Sequence, residues 1–250
     1  MRRRIHPTAA LFRGMMRVVP VRHRFPLALR IASLPAPVLS RLGLGRGEGR
    51  CPVESARDFA LVQILWKLSD WRVRYDRVVH VEGVARLEEA RAAGRGVLLA
   101  GPHTHLTLAA LHELFAAGHD LVAVSMGRYT APPWESRRIP VILRDERFLL
   151  GVRDALLRGE VVFAMIDRAR EIPGRTVAIP VAGGTLHAAD ALLRLAARCG
   201  SPVFFAAARA AEDSIACTLA AAPDGAGMED FASFVQAYSP PPSNADDRAR

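Results

Sequence analysis

The chain has 250 residues, half of them apolar, and a net charge of +9. That length and composition exclude a disordered chain and support one sizeable core with a short appendage at most. Three cysteines (Cys51, Cys199 and Cys217) form no CxxC pair, which argues for a reducing compartment and against a disulfide-built secreted fold.

Residues 1–50 carry eleven arginines and a single acid, Glu48, so this segment holds +10 and the other 200 residues about −1. A cationic terminus on a neutral body suits an anionic surface. Its arginines alternate with Leu, Phe, Met and Val, the pattern of a helix lying in a membrane interface. The alternative is that these apolar residues pack on the body while the arginines are solvated. The longest apolar candidate, residues 25–44, is broken by Pro26, Arg30, Pro35, Pro37 and Arg41, so no membrane span is expected. Nor does the start have the clean apolar stretch and cleavage site of a signal peptide. The stretch RLGLGRGEGR at 41–50 reads as a linker.

From residue 54 to 75, Phe59, Val62, Leu65, Trp66 and Val73 recur at helical spacing. Ser55 followed by Asp58 forms a partial capping box at the entry. Beyond residue 78, short apolar runs alternate with helical stretches. Strands are expected at 97–100, 121–124, 161–166, 176–181, 202–208 and 215–219. Helices are expected at 107–117, at 147–158 with Leu149, Val152, Leu156 and Leu157 inward, and at 188–198. Continuous apolar strands between helices predict an α/β fold over 51–236, a mostly parallel central sheet flanked by helices. The tail, 237–250, ends in SPPPSNADDRAR and reads as disordered.

Sites in such sheets form at the carboxyl ends of strands, and two ends carry polar chemistry. Gly101-Pro102-His103-Thr104-His105 follows a buried strand and precedes a helix. A histidine there is a candidate general base, because imidazole titrates near neutrality and helix-start amides favour an anion. The alternative is a histidine that satisfies a backbone group or caps the helix. Asp167-Arg168 ends the strand at 161–166; Asp167 either partners a histidine on the neighbouring strand end or caps a turn.

The stretch HVEGVARLEEARAAGRGVLLAGPHTHLTLAALHELFAAGHDLVAVSMGR, followed by LRGEVVFAMIDRAREIPGRTVAIPVAGGTLHAADALLRLAARCGSPVFFAAAR, resembles the bacterial lipid A late acyltransferases. These belong to the wider lysophospholipid and glycerolipid acyltransferase superfamily, and the similarity spans roughly residues 78–220. The resemblance implies transfer of a fatty acyl group from a thioester of acyl carrier protein or coenzyme A to a hydroxyl of a lipid or glycolipid. It implies no other cofactor and no metal, membrane lipids as partners, and a peripheral position at the cytoplasmic face of the inner membrane. On it, His103 is the base, and Arg128 and Arg168 hold acceptor phosphates; Asp167 is the candidate replacement for the motif's carboxylate, and His105 is a second candidate that supports the loop. Gly183, Gly184 and Thr185 would offer amides to the oxyanion. The chain departs from the superfamily's His-x4-Asp/Glu signature. The fifth position after His103 is Leu108, and after His105 it is Ala110. Glu113 lies further along the helix.

Two other readings use the same loop or the same fold. The HxH of His103 and His105 matches a metal-dependent hydrolase, since two imidazoles at i, i+2 can bind zinc. A non-catalytic lipid-binding relative fits the missing carboxylate. No nucleic-acid partner is expected, because the positive charge is confined to one end without interleaved aromatics. GxSxG and Walker A motifs are absent.

Overall fold

The computed structural model describes residues 7–44, 51–68, 75, 79–125, 139–168 and 176–238. Seven strands form one sheet in the order β1-β10-β9-β2-β5-β3-β4. They are β1 (Val79–Glu82), β2 (Val97–Gly101), β3 (Leu121–Ser125), β4 (Val141–Leu143), β5 (Val161–Met165), β9 (Val203–Ala210) and β10 (Ile215–Ala221). The run β9-β2-β5-β3-β4 is parallel throughout, and β10 is antiparallel to β9. A small antiparallel sheet, β6-β8-β7, is built from β6 (Asp167–Arg168), β7 (Val177–Val181) and β8 (Gly184–Ala188).

The central strands are apolar at every position because both faces of the sheet are covered. Along β2 the side chains alternate: Val97 and Leu99 join one core, Leu98 and Ala100 the other. In β5, Val161 and Phe163 likewise oppose Val162 and Ala164. The first core also takes buried residues of α2 (Val21–Ala32), α4 (Ala56–Val62), α5 (Val84–Ala92) and α6 (His105–Ala116). The second takes those of α7 (Phe148–Leu157), α8 (Ala191–Cys199) and α9 (Met228–Tyr238).

The N-terminal segment folds onto this body as α1 (Pro7–Val18), α2 and α3 (Ala36–Arg41). Met16, Phe25, Ala28, Leu29, Ala32 and Leu39 are buried in the same core as Val97 and Leu99. Its apolar residues therefore divide into two sets: these pack inward, while Leu11 (78% exposed) and Val18 (81% exposed) face outward on α1. No described helix is long and apolar enough to cross a membrane.

Several local expectations change. The helix predicted at 54–75 begins at Ala56, where Ser55 Oγ accepts the Asp58 N–H at 3.0 Å. It passes into a π-helical stretch, Gln63–Leu68, and 69–74 lie outside the described residues. In α7, Val152, Ala155 and Leu156 are the buried positions, while Leu149 and Leu157 are exposed. Val152 and Leu156 thus face inward as expected, with Ala155 between them in place of Leu149 and Leu157. Ala188 belongs to β8, and the following helix starts at Ala191. The linker at 45–50 and the tail from 239 lie outside the described residues.

Candidate active site

β2 ends at Gly101, a position where no side chain fits. A Cβ on this residue would stand 2.4 Å from the Ala206 carbonyl oxygen of β9. The chain then turns through Pro102-His103-Thr104 into α6, at the carboxyl edge of the parallel strands. β9 runs on past the end of β2, and two of its amides find side-chain acceptors instead. Ala208 N–H donates to Thr107 Oγ1 at 3.1 Å and Ala210 N–H to Asp58 Oδ1 at 2.9 Å. Thr107 is fully buried and hydrogen-bonded to Thr104. The loop that carries both histidines is thus stapled to β9 on one side.

β5 runs beside β2 in register, Gly101 opposite Met165, and two residues later Asp167 enters the small sheet. Its buried carboxylate meets His103 twice through one oxygen. Oδ1 accepts the His103 backbone N–H at 2.8 Å and lies 2.5 Å from ring Nδ1. With Nδ1–H donating to Asp167, Nε2 is left as the basic nitrogen of the ring. The imidazole is 52% exposed while the carboxylate is 5% exposed, so the acid is shielded and the base accessible.

His105 has a carboxylate of its own, one that sequence reasoning missed. Glu54 Oε1 accepts the His105 backbone N–H at 2.8 Å, and Oε2 lies 3.0 Å from its Nδ1. The Glu54 side chain is completely buried. Phe59 meets the His105 ring edge-on, 5.7 Å between centroids. The signal was masked because Ser55 and Asp58 explain the start of α4 by themselves. Both helix-entry amides, those of His103 and His105, are already taken by carboxylates, so neither serves as an oxyanion donor.

His103 opens on a cleft of about 210 Å³ lined by Leu108, Ala123, Val124, Ser125, Arg144, Phe163, Met165 and Leu192. It sits over the carboxyl ends of β3, β4 and β5. Leu108, at the superfamily's carboxylate spacing, packs partly into the core and faces this cleft. Among the described residues Arg144 is the arginine that lines it, and its guanidinium stacks 5.2 Å from the Phe148 ring centroid. Sequence reasoning missed Arg144 as well, although an apolar run ended by a charge was legible there, as it was at Asp167.

The other expected residues are placed elsewhere. Arg128 lies outside the described residues. Arg168 pairs with His187 across the small sheet; its side chain is outside the described ones. Gly183 sits in the β7–β8 turn, where a Cβ would meet the Pro52 carbonyl oxygen at 2.1 Å, so its glycine character is a packing requirement. Gly184 and Thr185 are exposed at the tip of that hairpin, and neither lines the His103 cleft. The strand from Gly184 to Ala188, the partner of Asp167, covers about 13 Å. The structure therefore does not bring this turn together with the His103 cleft.

A second, more polar cleft of about 270 Å³ lies across the loop, lined by Glu54, Ser55, Arg57, Asp58, Thr104, Arg209 and Tyr238 among others. Burial pushes the Asp58 carboxyl above its ordinary value, against the lowering effect of the Ala210 amide. Among the described residues, no three His, Cys, Asp or Glu side chains converge as a metal site. Neither protein-family models nor curated proteins match this chain.

Proposed function

We propose that the protein is an acyltransferase working at a membrane surface, moving a fatty acyl group from an acyl thioester to a hydroxyl of a lipid or glycolipid. The observation that carries this reading is a solvent-accessible imidazole, oriented by a buried carboxylate, at the mouth of a largely apolar cleft that Arg144 also lines. In it, His103 Nε2 takes the proton of the acceptor hydroxyl as that oxygen attacks the thioester carbonyl. The tetrahedral intermediate then collapses, the C–S bond breaks, and the thiolate leaves and is protonated. Asp167 holds the ring in the required tautomer and stabilises the imidazolium. Arg144 takes the role first given to Arg128, because its forked donors suit a phosphate.

The cleft is smaller than most ligand sites, so it receives part of a substrate and leaves the rest at the surface. Leu11 and Val18 on α1, with Leu34, Val38 and Leu42 on and beside α3, expose apolar surface within the arginine-rich segment. Apolar groups among arginines favour an anionic bilayer as the place where that surface rests. The alternative, a non-catalytic lipid-binding relative, draws on Leu108.

The test is transfer by purified full-length protein from coenzyme A and carrier-protein thioesters to extracted lipids, followed by mass spectrometry. His103→Ala should lower the rate about 100-fold or more. A folded wild type that transfers from neither donor overturns the enzyme reading and leaves the lipid-binding one.

A further inference from the structure

One turn reaches both histidine–carboxylate pairs. Glu54 N–H donates to the Cys51 carbonyl at 2.9 Å and closes the turn. From its first residue, the buried Cys51 thiol lies 3.6 Å from Asp167 Oδ2, the oxygen that His103 does not use. From its last, Glu54 clamps the amide and ring of His105. We propose that the Cys51–Glu54 turn is the positioning element of the His103 base, fixing its carboxylate from behind and its loop from the far end.

Asp167 Oδ1 carries both His103 contacts, so a partial rotation of the carboxylate plane about Cβ–Cγ would weaken both. A thiol donating to Oδ2 opposes that rotation. The loop itself ends at His105, and Glu54 holds it there by the first amide of α6, a donor with no partner inside the helix. Neither residue lines the His103 cleft, so neither touches substrate. A completely buried carboxylate is costly to keep unless its partners are well placed, which marks Glu54 as a built contact and distinguishes it from a surface pair. Cys51 also behaves as a donor only: burial first, then the charge of Asp167, raises its thiol far above the ordinary range.

The groups that face His103 set the sign of the pH effect. They are Asp167 on β6, Arg144 after β4 and, one contact further out, Cys51, Glu54 and His105. Removing the thiol leaves more negative charge on Asp167 for the ring. The charged form of the ring is then the better stabilised one.

This inference rests on His103 as the base, and the experiment separates the two ideas. His103 is followed by NMR titration in full-length wild type, Cys51→Ala, Cys51→Ser and Glu54→Gln, with kcat and KM measured alongside. Cys51→Ala should shift the measured midpoint away from that of wild type. It should move the acid limb of the rate profile with it, and Cys51→Ser should restore both. Glu54→Gln, which keeps an acceptor for the His105 amide, should lower kcat about tenfold with KM nearly unchanged, since small misplacement of a base is expensive. An unchanged midpoint in Cys51→Ala together with unchanged kcat in Glu54→Gln overturns the inference, even if His103→Ala is inactive. Full activity in His103→Ala instead removes the functional reading, and the NMR midpoints still test the turn.

Discussion

Asp167→Asn is the sharpest perturbation of the proposed centre, because it removes a charge and almost no volume. The amide oxygen can still accept the His103 backbone N–H, which the carboxylate now takes at 2.8 Å. What is lost is the attraction between a carboxylate and the imidazolium formed when His103 accepts a proton. For charges about 4 Å apart at the effective dielectric of a protein site, that attraction is about 4 kcal/mol. At about 1.4 kcal/mol per decade it corresponds to a fall of about 10³ in kcat. The imidazole is half exposed, and solvent screening reduces this, so a loss of 10² to 10³ is the expected range, with ~10² as its lower edge. Thiol release from an acyl thioester in single turnover reports the step directly, and circular dichroism with thermal unfolding reports the fold. A folded Asp167→Asn protein within threefold of wild type would refute the reasoning, because the carboxylate would then be capping a turn.

Four further outcomes are expected. Leu11→Asp with Val18→Asp should weaken sedimentation with anionic vesicles at low salt without changing thermal stability, because both positions are exposed; equal binding would place the interface elsewhere. Gly101→Ala should cost about 1–3 kcal/mol in denaturant unfolding, since its Cβ would meet backbone 2.4 Å away that cannot swing aside. Asp58 has a raised folded-state pKa, through burial first, so the stability linked to it is present below its ordinary 3.8 and is lost as pH rises through the folded value. Asp58→Asn, which keeps an acceptor for the Ala210 amide, should therefore gain on wild type at neutral pH and lose that advantage below pH 3.8, read by thermal melts across pH. Alkylation of the native protein should label Cys199 first, because Cys51 and Cys217 are buried and burial pushes the Cys217 thiol up to about 12; mass spectrometry of the modified peptides decides this.

The sheet was legible because its central strands are short, continuous apolar runs, and β2, β3, β5 and β9 each fall within two or three residues of expectation. β1 and β4 were not picked out. Val79–Glu82 alternates half-buried with exposed positions, and Val141–Leu143 is a three-residue edge. Two strands so short carry little periodicity to read. His103 and Asp167 stood out as polar residues at the ends of buried runs, a purely local signal. Glu54 did not, because its partner lies 51 residues away and nothing in CPVESARD announces a contact across the fold. The hairpin at Gly183 misled for the opposite reason. A glycine pair suggests close backbone approach, and the approach is real, but it is to Pro52.

The placement of β2 decides when this protein can become itself during synthesis. Its neighbours are β5 and β9, so the strand that carries the His103 loop leaves the ribosome long before either can flank it. β1 waits longer still for β10, with Val79 pairing to Ile215. Pairings this distant in sequence close late and slowly. Until then α1 to α3, whose Met16, Phe25 and Leu29 belong to the finished core, lack the sheet they pack on. In that interval an arginine-rich segment carries apolar surface that is not yet buried. An anionic bilayer beside the ribosome would shelter that segment from aggregation, and in a synthesis reaction lacking vesicles the soluble yield should fall.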